Sequence, residues 1–82
     1  MRYTVTWHPD AADELTRIWL DASNRQAVAD AANEIDRLLV ADPDAQGEEF
    51  YGDRLLVASP LAITFTVRAH DRIVQVLQVW HG

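Results

Sequence analysis

The sequence predicts an α+β fold in the order β-α-α-β-β-β, with an N-terminal strand and a helix hairpin packed on one face of a small, mainly antiparallel sheet. Three observations predict it. The first residues alternate apolar and polar β-formers, residues 9–41 carry two apolar stripes at helical spacing, and residues 54–81 contain three β-like runs separated by turn residues. We expect a single domain over residues 1–82, because a chain of 82 residues builds one core.

The first strand is predicted at residues 3–7, where apolar and polar β-formers alternate. His8-Pro9-Asp10 ends it, because proline suits the first position of a helix and carboxylates stabilise a helix N-terminus. Apolar residues then recur at i, i+4, i+7 and i+11, at Ala11, Leu15, Ile18 and Ala22. This spacing predicts a first helix that buries one face.

A second apolar stripe follows Ser23-Asn24, a pair suited to helix capping. Its members are Val28, Ala31, Ala32, Ile35, Leu38 and Leu39. Asp42-Pro43 ends this helix, and the short connection predicts an antiparallel hairpin whose shared apolar stripe lies on the sheet. Residues 44–53 are predicted to form an acidic loop. Trp7, Trp19 and Trp80 are interpreted as core anchors.

The last two strands, at 61–69 and 72–81, are predicted to form a hairpin around His70-Asp71. A turn of two or of four residues gives the same alternation of faces, with Val67 opposite Val74, Phe65 opposite Val76, and Leu61 opposite Trp80. These residues and Ile63 make the core face. The open face then carries the others, namely Ala62, Thr64, Thr66, Arg68, Ile73, Gln75, Leu77, Val79 and His81. In this register Gln78 falls on the core face, where it requires a hydrogen-bond partner or a bulge.

The composition restricts the function. Seven basic residues, all arginine, stand against thirteen acidic ones, so the formal net charge of -6 disfavours a phosphate-binding surface. No cysteine is present, which excludes disulfides and thiolate metal sites, and the three histidines lack metal-ligand spacing. We expect no metal and no cofactor. Without a signal-like, transmembrane or lipidation segment, the expected location is the cytoplasm, with no membrane partner.

The element order resembles the RelE/ParE superfamily of type II toxin-antitoxin toxins, and the likeness covers nearly the whole chain. It is carried by residues 3–15, the Asp42-Pro43 stop, residues 54–57, and the hairpin of 61–67 with 76–81, which ends in Val79-Trp80-His81. The resemblance implies a toxin that binds a cognate antitoxin and cleaves mRNA on the ribosome. The alternatives are a ParE-like inhibitor of DNA gyrase and a catalytically degenerate, non-enzymatic interaction module, including a homodimer.

The resemblance also implies site residues. Cleavage through the RNA 2′-hydroxyl needs a base, an acid and cations. His81 matches the terminal-strand histidine of some of these nucleases and is the candidate acid. The alternative is that His81 is a strand-end imidazole without a catalytic role. Glu49, with Glu48 as its neighbour, is the candidate base. Arg54 is the candidate cation. A two-residue turn at Ser59-Pro60 points it toward the core, whereas a three-residue turn or a bulge points it outward.

Many members of this superfamily carry an arginine at the position where this chain has Leu61-Ala62. That departure weakens the nuclease expectation and favours binding functions. Apolar side chains on an uncovered sheet face mark a protein-binding surface. The residues predicted to bind a partner are Arg68, Ile73, Leu77 and Val79.

Overall fold

The computed structural model describes residues 2–82. Its elements are β1 (Thr4–Trp7), α1 (Pro9–Asp21), α2 (Arg25–Ala41), a 3-10 turn (Pro43–Ala45), β2 (Glu48–Phe50), β3 (Asp53–Ala58), β4 (Leu61–Arg68) and β5 (Ile73–His81). The strands form one five-stranded sheet in the order β1-β5-β4-β3-β2. β1 is parallel to β5, and every other neighbouring pair is antiparallel. The predicted class and element order are confirmed.

The two helices begin and join as the capping residues predict. His8 accepts a hydrogen bond at Nδ1 from the backbone N–H of Asp10 (3.1 Å), and Asn24 accepts one from Ala27 (3.1 Å). Arg25 donates to the carbonyls of Trp19 and Leu20 at the end of α1 (3.2 and 2.9 Å), and its guanidinium lies 4.8 Å from the Trp19 ring centroid. Trp19 is therefore half exposed beneath Arg25, and its interpretation as a core anchor was wrong.

The core lies between the helix hairpin and one face of the sheet. α1 contacts chiefly β5, while α2 contacts β1, β3 and β4. The largest fully buried side chains in this layer are Phe65, Ile35, Leu39, Leu61 and Ile63. Trp7, on edge strand β1, donates through Nε1 to Asp36 of α2 (3.2 Å), which ties that edge to the helix layer. Within residues 2–82, no helix packs on the opposite face of the sheet, called the open face below.

A bulge in β5 changes the predicted register of the hairpin. Val67 pairs with Val74 and Phe65 with Val76, as predicted, but the register shifts at Thr64/Phe65. Beyond that point Ile63 pairs with Val79, Ala62 with Trp80, and Leu61 with His81. The predicted pairing of Leu61 with Trp80 was therefore wrong, as were the placement of Trp80 in the core and of Val79 and His81 on the open face.

The physical reason for the bulge is Gln78, which the sequence analysis placed on the core face. Without a bulge, Gln78 would lie in the apolar core, where an unpaired amide is costly. The extra residue moves Gln78 to the open face, where its Oε1 accepts a hydrogen bond from Thr64 Oγ1 (3.4 Å). Val79 then fills the core position and is only 4% exposed.

The predicted acidic loop contains a short edge strand, β2, which the sequence analysis did not predict. Phe50 pairs with Asp53 across a two-residue turn in which Tyr51 and Gly52 both have positive φ (50° and 88°). Such left-handed pairs match the twist of a tight hairpin. The Ser59-Pro60 turn also has two residues, so Arg54 pairs with Phe65 on the core face, as that register predicted.

Replacing Gly47 with alanine is expected to destabilise the protein by at least about 2 kcal/mol, since the left-handed backbone alone costs a non-glycine residue about 1–2 kcal/mol. A Cβ there would lie 2.5 Å from the Leu55 carbonyl oxygen, at φ +73°. Gly52 has φ +88° but nothing within 4 Å of its Cβ position, so Gly52→Ala carries only the backbone cost. Urea unfolding of both variants separates the cost of the steric clash with Leu55 from the cost of the left-handed backbone. Equal losses of stability in the two variants would contradict the expected clash at Gly47.

Candidate functional site

The open face presents an uncovered apolar surface at the end where β5 finishes. Val57, Ala62 and Trp80 lie in one row across β3, β4 and β5, because Ala62 pairs with both of the others. Val57 is 64% exposed and Trp80 is 42% exposed. We call these three residues the Trp80 patch. Exposed apolar side chains that adjoin one another mark binding surfaces more often than isolated ones do.

The open face carries little positive charge. In the described strands, the alternation of side chains leaves Arg68 as its one basic residue, at the end far from the Trp80 patch and opposite Ile73. Glu48 and Asp53 lie on the same face at the β2 edge. Phosphate recognition requires several cations on one surface. This face is therefore suited to contact with protein rather than to the binding of an RNA backbone.

A groove runs along the other side of β5, against α1. Two adjoining hollows of about 260 and 380 Å³ form it, and Glu14 lines both of them. Leu77 and Trp80 line the first hollow, and His81 lines the second with Asp21 and other residues of α1. We call this channel the β5 groove. It places the His81 imidazole beside carboxylates and beside Arg17, which forms an ion pair with Glu14 (3.1 Å).

The other two candidate catalytic residues lie far from His81. Glu49 is exposed on β2 and pairs with Arg54 of β3. Their row of the sheet is four residues along β4 from the row of His81, and Glu49 is three strand spacings from β5, a separation of roughly 20 Å at standard strand geometry. One phosphate cannot contact both Glu49 and His81 at that distance. The structure does not bring the predicted catalytic set together.

Arg54 has a structural role in the loop that precedes β2. Its guanidinium lies on the helix side of the sheet and donates to the carbonyl oxygens of Gln46 (2.9 Å), Asp44 (3.1 Å) and Gly47 (3.3 Å). These bonds hold the chain between α2 and β2. Because carbonyl groups occupy its donors, Arg54 is held away from the open face.

The four predicted partner-binding residues divide into two groups. Arg68 and Ile73 pair on the open face, with Arg68 exposed and Ile73 half-buried. Leu77 is half-buried at the bulge and lines the β5 groove, whereas the Val79 side chain lies in the core. Sequence reasoning missed the exposure of Trp80 and the acidic wall of the β5 groove. Gln78 was the available signal, since a bulge there exposes Trp80 and turns His81 toward α1.

The remaining electrostatic features lie elsewhere. The Arg37 guanidinium hydrogen-bonds to Glu34 on α2 and holds the pKa of that carboxyl below its usual value. Within residues 2–82, no group of three His, Cys, Asp or Glu side chains is arranged to hold a metal ion. In the same part of the chain, neither helix has the length and apolar character needed to cross a membrane.

Solved structures of toxin–antitoxin proteins share this fold. A chain of the RelBE2 toxin-antitoxin complex from Mycobacterium tuberculosis is 18% identical, with a TM-score of 0.82 and 100% of both chains covered. One from the chromosomal ParDE TA system of P. aeruginosa is 21% identical, with a TM-score of 0.75 over 98% of this chain and 96% of that one. One from the archaeal RelE-RelB complex of Pyrococcus horikoshii OT3 is 14% identical, with a TM-score of 0.70 over 99% and 96%.

No protein-family model and no curated protein matches the sequence. The assignment therefore depends on three-dimensional similarity, which extends over the whole described chain and includes both helices and the sheet. The sequence resemblance and the structural comparison agree. This chain has the fold of the RelE/ParE toxins.

Proposed function

We propose that the protein is a RelE/ParE-like toxin of a type II toxin-antitoxin system and that it binds a cognate antitoxin. The observation that carries the proposal is the match, over nearly the full length of both chains, to three proteins from RelBE, ParDE and RelE-RelB systems. A helix hairpin on only one face of the sheet leaves the Trp80 patch for a second protein. The proposal implies a cytoplasmic protein.

We further propose that its target is a protein, with DNA gyrase as the first candidate. The net charge of -6 and the single arginine among the open-face residues of the described strands favour a protein surface over RNA. The competing activity is cleavage of mRNA on the ribosome, with His81 as acid, Glu49 as base and Arg54 as the cation. The separation of His81 from Glu49 supports the first reading.

Induced expression of the chain without an antitoxin is expected to arrest growth, and Val57→Asp is expected to relieve the arrest. The substitution puts a carboxylate into the Trp80 patch at a position that is 64% exposed, so it weakens a protein contact with little effect on folding. His81→Ala is expected to leave the arrest unchanged, because His81 lies outside that patch. Viable counts after induction, at matched soluble expression, measure both effects.

Leu20→Asp is the matched control for Val57→Asp. Leu20 is also an exposed apolar residue, but it lies on α1, away from the open face. Accumulation of cleaved DNA–gyrase complexes would support the gyrase target. Loss of arrest in His81→Ala, together with cleavage of translated mRNA by the wild type, would establish the nuclease activity instead.

A non-enzymatic module is the third reading. It predicts normal growth at verified soluble expression, together with a stable complex with the product of the adjoining gene. Light scattering of the isolated chain and of the mixture separates that complex from a homodimer. Normal growth without any complex would refute the toxin-antitoxin assignment.

A further inference from the structure

The end of β5 is an unpaired strand edge. β1 pairs with β5 only over Ile73 to Val76, and the chain leaves the sheet at His8, whose N–H donates to the Val76 carbonyl (2.8 Å). Among the strands of residues 2–82, only β4 therefore lies beside residues 77–81. Backbone groups along such an edge are a template for another extended chain.

The β5 groove lies directly against this edge, and its walls determine what fits. Ala11 and Ile18 are buried at its base, and Leu77 and Val79 line it from β5. Asp10, Glu14 and Asp21 line its α1 wall at i, i+4 and i+11, positions on one side of a helix. Arg17 neutralises only part of this charge, through its ion pair with Glu14.

We propose that the β5 groove binds an extended segment of the partner protein that carries arginine or lysine and adds as a strand to residues 77–81. The proposal deepens the antitoxin-binding function and rests on it for the identity of the partner. Three aligned carboxylates and a net charge of -6 repel an acidic segment and attract a basic one. The alternate side chains of the same strand point to the open face, beside the exposed Trp80.

The length of the groove sets the length of the segment. Asp10 and Asp21 are eleven residues apart on α1, a rise of about 16 Å. An extended chain covers this distance with about five residues. Every second side chain of such a segment points to the same side, so two or three basic residues in alternation would meet the acidic wall.

The test uses the purified full-length chain and two short peptides, one alternating valine with arginine and the other alternating valine with glutamate. Titration followed by 15N NMR is expected to shift the amide signals of residues 77–81 and of the α1 wall with the arginine peptide only. Hydrogen exchange of the backbone amides in 77–81 is expected to slow on binding, which a merely electrostatic contact would not produce.

The combined variant Asp10→Asn, Glu14→Gln, Asp21→Asn is expected to weaken binding roughly tenfold or more at low salt, as the loss of three partner charges predicts. Its control, Asp13→Asn, Asp30→Asn, Asp71→Asn, changes the net charge equally at exposed positions outside the groove and is expected to bind as the wild type does. Thermal unfolding checks that both variants fold.

Equal binding of the two peptides, signal shifts confined to the open face, or equal weakening in both variants would each overturn the proposal. The experiment contains no antitoxin and measures no toxicity. A protein that neither arrests growth nor forms a complex with the product of the adjoining gene, but binds the arginine peptide in the β5 groove, refutes the proposed function alone. The reverse pattern refutes the docking proposal alone.

Discussion

Phe65→Ala is expected to lower the free energy of unfolding by about 3–5 kcal/mol, the range for deletion of a buried phenylalanine side chain. Phe65 is fully buried at the centre of β4, where it pairs with Arg54 on one side and with Val76 on the other. A domain of this size has a total stability of roughly 4–12 kcal/mol, so the loss removes a large share of it. Urea unfolding followed by far-UV circular dichroism measures the change.

Phe50→Ala is the matched control, since it deletes the same side chain from β2, where Phe50 is 37% exposed and contacts Tyr51 edge to face. The expected loss there is about 1 kcal/mol or less, in keeping with substitutions outside the core. Similar losses for the two variants would show that the core is not centred on β4.

Arg54→Ala is expected to lower the free energy of unfolding by about 2–3 kcal/mol, because the substitution leaves carbonyl groups without their donor. Those carbonyls belong to Asp44, Gln46 and Gly47, so the loss should be local to the connection from α2 to β2. Arg54→Lys keeps the charge but not the fork of donors and should recover only part of the loss. Chemical denaturation and limited proteolysis of residues 43–50 measure both effects.

Arg17→Ala provides the comparison, since it removes an exposed arginine from an ion pair on α1 and should cost well under 1 kcal/mol. If Arg54 acted on a phosphate, Arg54→Ala would abolish activity at unchanged stability. A stable but inactive Arg54→Ala protein would therefore contradict the structural role derived from its hydrogen bonds.

The open face and the β5 groove lie on different sides of the same strand. Trp80 and Val57 point to the surface proposed for the target, while the wall of Asp10, Glu14 and Asp21 follows α1. Trp80 belongs to the Trp80 patch and is also one of the residues that line the β5 groove. A segment bound along residues 77–81, as proposed above, would therefore lie beside the proposed target-binding surface.

The candidate site was less accessible to sequence reasoning than the fold. The sequence left the direction of Arg54 open between a two-residue turn at Ser59-Pro60 and a longer one, and the two-residue turn of the structure points it to the core face. Its three carbonyl partners were not predictable, because they belong to a loop without a periodic pattern. The same lack of pattern hid β2, whose three residues are all exposed and which is a strand only through its pairing with β3.

By itself, the sequence determined the element order, the two helix faces and the half of the hairpin that contains Phe65, Val67, Val74 and Val76. These features depend on spacing within one segment, which the chain carries wherever it folds. Only the tertiary structure decided the faces of Val79, Trp80 and His81. Successive side chains of a strand point to opposite faces of the sheet, so one bulged residue exchanges the faces of all residues beyond it. The bulge forms because burying Gln78 beneath the helix layer would be costly. That layer is supplied by residues far away in the chain, so the sequence of the strand alone does not reveal it.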